Sequence, residues 1–153
     1  MDIAMKLRDY LLPENIVLDL GAPSKAALIR QLSELAAGRL ALDASEIAEV
    51  LINRENLGST GIGAGVAIPH AVVKGIDRHF CLFARLVKPV DFEAVDDQPV
   101  DLVFLLLNPE SRPEHLNILS CIARRIREEE TVAAIRRAAS PEEVYVRLCP
   151  PEA

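Results

Sequence analysis

The 153-residue sequence has no tryptophan and only 4% aromatic residues, so its core must be assembled from Leu, Ile, Val and Ala within the half of the chain that is hydrophobic. That length and composition suit one domain over residues 1–153, stable without staples and made of helices packed on a sheet. Cysteine is scarce as well. Cys81, Cys121 and Cys149 are odd in number and show no CxxC spacing, which argues against a disulfide frame and predicts buried or incidental thiols in a reducing compartment. Positive charge is in deficit: the formal net charge is −6, and the cluster of Arg124, Arg125 and Arg127 is followed at once by Glu128, Glu129 and Glu130. Nucleic acid is therefore not an expected partner. No apolar run approaches the ~20 residues that span a bilayer, and the N-terminal MDIAMKLRDYLL lacks a signal-peptide pattern. The expectation is a soluble, cytoplasmic protein without membrane insertion.

Several catalytic signatures are also missing. No GK[ST] follows the glycines, which excludes a P-loop, and no GxSxG elbow is present for a Ser-His-Asp hydrolase. No HxxxH or HxxEH pair supplies closely spaced zinc ligands, so a metal held by His70, His115 and a carboxylate stands only as a minor alternative. The expectation is no metal and no cofactor.

What is present reads as a short strand NIVLDL (15–20), then a helix opened by Pro23 and Ser24 and ending near Gly38. Asp43 and Glu46 have capping-box-like spacing before a second amphipathic helix with a polar C-terminal end, NREN. VAIP reads as a short strand, HFCLFARL as a longer one, and VDLVFLLL as a nearly continuous apolar strand buried on both faces of a sheet. Three helices follow, in PEHLNILSCIARRIREE, in TVAAIRRAA and after Ser140-Pro141. The order β, α, α, β, β, β, α, α, α implies an α/β fold with a mixed sheet covered on both faces.

The stretch GSTGIGAGVAIPH (58–70) holds four of the seven glycines and ends on a histidine behind a proline. Gly61, Gly63 and Gly65 invite comparison with GxGxxG, and Thr60-Gly61 with TGxxxG. A dinucleotide fingerprint, however, needs a strand before the glycines and a helix after them, whereas here a helix precedes and a strand follows. The glycines can still supply tight turns and amides that face an anion, or simply a loop into a strand. His70 leaves a strand end in a direction set by Pro69, and so can serve as nucleophile, base or ligand, or as a satisfied structural histidine. His115 lies in the first turn of a predicted helix. His79 opens a strand and reads as an exposed strand-end residue.

RENLGSTGIGAGVAIPH, with the later PEHLNILSCIARRIRE, resembles enzyme IIA domains of the fructose/mannitol type from the phosphoenolpyruvate-dependent phosphotransferase system. The likeness runs from about LLPENIVLDL to VYVRL, and the stand-alone length with the glycine run is most similar to the nitrogen-related regulatory branch. It implies a three-layer α/β/α sandwich with a central mixed β-sheet. It also implies that His70 accepts a phosphoryl group on Nε2 from an HPr-like phosphohistidine carrier, that His115 stabilises that group, and that Arg54, sixteen residues before His70, compensates its charge. Backbone amides of Gly61, Gly63 and Gly65 are the candidate phosphoryl cradle. At position 64 sugar-type relatives can carry glutamate and regulatory ones asparagine, whereas this chain has Ala64. A carrier interface is expected around Val66, Ala67, Ile68, Ala71 and Val72, at least half of them core residues. Downstream, a regulatory protein would meet a kinase or channel, and a sugar-specific one a IIB acceptor. A non-catalytic regulatory binding module is the reading from another class.

Overall fold

Strand β6 (Val100–Pro109) explains the arrangement around it, because from Leu102 to Pro109 it is buried throughout and has a neighbour along both edges. The computed structural model describes residues 7–110 and 115–150, the side chains of His115 and Leu116 excepted. Preceding it in the chain are β1 (Leu11–Leu20), α1 (Lys25–Leu40), α2 (Ala44–Glu55), β2 (Gly61–Gly63), β3 (Val66–Ala67), β4 (His70–Val73) and β5 (Phe80–Val90). After it come α3 (His115–Ile126), α4 (Glu129–Arg137) and α5 (Pro141–Leu148). The sheet runs β1-β5-β6-β3-β2, with β4 also paired to β6. It is mixed: β1 lies parallel to β5, β5 antiparallel to β6, β3 and β4 parallel to β6, and β2 antiparallel to β3.

Alternation along β5 and β6 sends side chains into two cores. Leu105, Leu107, Leu82 and Ala84 pack with Leu28, Leu32, Ile47 and Leu51 of α1 and α2. Phe83, Phe104 and Leu106 pack with Ile118, Ile122, Ile135 and Val144 of α3, α4 and α5. The result is the expected three-layer α/β/α sandwich. Cys81 and Cys149 are buried in the second core. Burial pushes the Cys81 thiol up to about 12 and that of Cys149 to about 11, so both are poor nucleophiles.

Local signals mark most boundaries. Ser24 Oγ accepts from Ala27 N at 3.1 Å to start α1, Asp43 accepts from Ser45 N at 2.8 Å to start α2, and Ser140 Oγ accepts from Glu143 N at 3.2 Å ahead of Pro141. Several boundaries differ from the sequence expectation, among them the end of β5, which runs past Leu86 to Val90. Helix α1 continues through Gly38 to Leu40, because the face formed by Leu28, Leu32 and Ala36 is fully buried and outweighs the roughly 1 kcal/mol helix cost of one glycine. Strand β1 begins at Leu11, not residue 15, since pairing with Cys81 of β5 recruits the extra residues. VAIP is strand only over Val66–Ala67, Ile68-Pro69 interrupts the edge before β4 starts at His70, and the glycines before it form a strand of their own.

No helix among the described residues is long and apolar enough to cross a membrane.

Candidate active site around His70

Strands β3 and β4 lie end to end along one edge of β6: Val66 sits opposite Leu102, and His70 opposite Leu106. Four residues of β6 therefore separate the two positions, about 13 Å of strand. Pro69 lacks an N–H and breaks the ladder, but its carbonyl still accepts from Leu106 N at 2.9 Å. His70 thus starts β4 in a fixed register. Its ring folds back so that Nδ1 lies 2.8 Å from Ile68 O. A carbonyl oxygen can only accept, so Nδ1 carries the hydrogen and the lone pair of the neutral ring is at Nε2.

Half-buried, His70 lines an open cleft of about 420 Å³ with Val50, Asn53, Arg54, Leu57, Val72 and Asn108. Arg54 comes from the last turn of α2, where a cation complements the carbonyl end of the helix. Its Nη1 donates to Gly58 O at 2.9 Å, folding the turn back on the helix end. The antiparallel hairpin then returns the chain past itself, and Ile68 N donates to Thr60 O at 2.9 Å. That turn brings Arg54 to the same cleft as a histidine sixteen residues later.

Beneath the turn sits a carboxylate to which the sequence reading gave no role. Glu55 is buried, accepts from Thr60 N at 3.1 Å and from the Thr60 hydroxyl, and pairs with Lys25 Nζ at 3.0 Å. Lys25 in turn lies over the Phe92 ring, 4.6 Å from its centroid. Thr60 is thereby held from one side by Glu55 and holds Ile68 on the other, and Ile68 orients the His70 ring. The only sequence signal for this was an acidic residue next to Arg54, which looks like any charged helix end.

The structure does not bring the predicted glycine amides to His70. Ala64 (φ 57°) and Gly65 (φ 79°) form a two-residue turn of the kind that suits twisted hairpins, at the end of β6 remote from His70. Gly61 N donates to Ser59 Oγ, Gly61 pairs with Ala67 and Gly63 with Val66, and Ala64 N donates to Asp96 Oδ2 at 3.0 Å. Arg136 reaches across from α4 to grip the turn, donating to Ala64 O and, with two nitrogens, to Asp101. Gly61, Gly63 and Gly65 therefore shape a hairpin, and the cradle role falls away.

The other predicted residues divide. His115 opens α3, but its side chain lies outside the described residues. His79, expected to be an exposed strand end, is half-buried, with Nδ1 2.8 Å from Asn108 Oδ1 and its ring edge-on to Tyr10. Of the apolar residues proposed as an interface, Val66, Ala67 and Ile68 are core, Ala71 is half-buried and Val72 is exposed. Val72 is joined at the cleft by Leu57, which is 85% exposed.

Comparison with known proteins fits this geometry. Over 150 residues, 97% of this chain and 98% of the relative, the sequence is 41% identical to a nitrogen regulatory protein of Bradyrhizobium diazoefficiens. The crystal structure of the nitrogen regulatory protein IIA-Ntr from Neisseria meningitidis superposes with a TM-score of 0.86 at 37% identity, covering 92% of this chain and 97% of that one. Enzyme IIA for mannitol from Escherichia coli, solved in complex with phosphorylated enzyme IIB, matches in fold at 21% identity, with a TM-score of 0.75 over 90% of this chain and 96% of its own. Residues 9–148 match the family model for the phosphoenolpyruvate-dependent sugar phosphotransferase system, EIIA 2, and with that span covering nearly every element described above, the chain belongs to this family of phosphotransferase components.

Proposed function

We propose that His70 is the phosphoryl acceptor and that the chain, as one domain, works as a cytoplasmic regulatory relay of the nitrogen-related type. The observation that carries this reading is the His70 Nδ1–H···O=C bond to Ile68, which puts the nucleophilic lone pair on Nε2 in the cleft shared with Arg54. Transfer from a phosphohistidine carrier breaks the carrier's N–P bond, leaves the electron pair on its imidazole and forms a new bond at His70 Nε2. The passing group is metaphosphate-like, so catalysis rests on alignment and charge compensation. Arg54 has five N–H donors, of which Nη1 serves the turn, and its fixed charge offsets the phosphoryl oxygens. His115, at the start of α3, contributes a further hydrogen bond to them.

The HPr-like carrier docks on the exposed apolar rim of Leu57 and Val72, and charging His70 places new negative charge within that rim. A downstream kinase, channel or IIB acceptor would read that change. The 41% identity to a nitrogen regulatory protein supports the regulatory branch over the sugar-specific one. Incubation with phosphoenolpyruvate, the first enzyme of the relay and its carrier tests the assignment: wild-type protein takes up acid-labile label and His70→Ala takes up none. Label retained by His70→Ala rejects the acceptor. Removing Arg54 or His115 leaves carrier binding intact and slows transfer about 10²-fold, the scale for a positioned transition-state donor.

A further inference from the structure

Asn108 is a polar side chain in the middle of an apolar strand, 1% exposed, yet it lines the same cleft as His70 and Arg54. Its place follows from register. Asn108 sits opposite Val72, two residues beyond the Leu106–His70 pair, so it lies on the same face of the sheet as His70 and one diagonal step away. His79 Nδ1 lies 2.8 Å from Asn108 Oδ1, and because an amide oxygen only accepts, His79 is the donor. The Tyr10 ring holds His79 edge-on, with centroids 5.5 Å apart. With Oδ1 committed to His79, the amide cannot flip without losing that bond, and Nδ2 is the part of the side chain left for the cleft. Nδ2 therefore offers its two N–H groups to an acceptor that enters this cleft.

We infer that Asn108 Nδ2 donates a hydrogen bond to an oxygen of the phosphoryl group carried on His70 Nε2, and that His79 is the positioning residue that fixes the amide for this. The inference rests on His70 as acceptor. An amide donor suits the task because it stabilises the anion without adding a second full charge that would hold the phosphoryl group back from the next acceptor. A protein needs such balance when the group must leave again.

The first test reads the wild-type side chain directly. In ¹⁵N–¹H spectra of the full-length wild-type protein, the Asn108 side-chain NH₂ pair, assigned by its disappearance in Asn108→Asp, shifts on phosphorylation by charged carrier. His70→Ala under the same conditions shows no shift. The second test is kinetic. Asn108→Leu keeps nearly the same volume and lowers kcat for transfer by about 10-fold to 100-fold, the range for a hydrogen bond to a charged group, with KM for the carrier within twofold. Asn108→Asp, which sets a carboxylate against the phosphoryl group, falls further. His79→Phe keeps the ring packing but frees the amide, and loses a smaller factor of about threefold to tenfold. An NH₂ pair that does not move while His70 is charged, or kcat for Asn108→Leu within twofold of wild type, overturns the role of Asn108 and leaves His70 standing. Label on His70→Ala overturns both.

Discussion

At one end of β6 the chain from Gly61 to Ala67 turns on itself and is tied down by ladder bonds, by Asp96 and by Arg136. At the other end the edge strand β4 carries His70 beside Arg54 and Asn108, and the cleft between them opens to solvent. Both ends belong to one glycine-rich run, yet they are built for different purposes. The hairpin is satisfied by its own contacts and can only hold shape, whereas the cleft end keeps polar groups directed at a space that a ligand can enter. What links the two is Thr60, whose carbonyl receives Ile68 N while its own amide and hydroxyl rest on Glu55.

The sharpest way to break that division is to remove Glu55. Glu55→Ala leaves Lys25 with only the exposed Glu93 as its ion partner and the Thr60 amide and hydroxyl without their acceptor, which costs about 3 kcal/mol, the low end of the range for breaking a buried pair. Thermal unfolding should shift down by roughly 6–12 °C, and transfer to His70 should slow because the turn presenting Arg54 loosens. Glu55→Gln keeps an acceptor for Thr60 N and should recover the transfer rate more than the stability. Equal losses of rate in both variants would show that charge on Glu55, not its hold on the turn, matters to the site.

A change at the hairpin should do the opposite, lowering stability and sparing transfer. Gly65 has φ 79°, and a Cβ there would meet Arg136 Nη2 and come within 3.0 Å of Asp101 Oδ1. Gly65→Ala should therefore cost about 2 kcal/mol, combining left-handed strain with a displaced Arg136 clamp, or roughly 4–8 °C in Tm. Carrier-dependent labelling of His70 should stay within twofold of wild type. A tenfold drop would mean that the two ends are mechanically coupled.

Acid gives a milder probe of the same end. Hydrogen bonds from the amides of Ala64 and then Gln98 hold the Asp96 carboxyl below its ordinary range. A depressed folded pKa means that the contact is intact above the unfolded value near 3.8 and is lost as pH falls through the folded one. The hydrogen-exchange protection of the Ala64 amide should fall at that acid limb, and in Asp96→Asn the limb should vanish.

The layers of the fold were legible because they rest on periodicity: the continuous apolar run of β6 demanded a central strand, and Ser24, Asp43 and Ser140 announced their helices. His70 and Arg54 were named through resemblance, and the structure sets both along one cleft. The glycines misled in detail, because their number drew attention while their destination depended on a hairpin with β3, which itself docks on β6 about forty residues away. Glu55 and Asn108 were missed for the same reason. A helix-end glutamate and a strand asparagine look ordinary until Thr60 and His79 arrive from other elements. The tautomer of His70 likewise exists only once Ile68 O is in place.

The smallest expected effect sits at Ala64. Its φ of 57° places a β-methyl in the left-handed region, where asparagine is tolerated far better than alanine, and the residue after it is the glycine that such a turn prefers. Ala64→Asn completes an Asn-Gly turn without enlarging the freedom of the unfolded chain, as Ala64→Gly would. Stability should rise by about 0.5 kcal/mol, or roughly 1–2 °C in Tm. Because the turn lies at the far end of β6 from His70, transfer should not change. A change in the rate without a change in Tm would instead place the position-64 side chain at the phosphoryl group or its carrier, and would return to the hairpin the chemical role that its internal hydrogen bonds deny it.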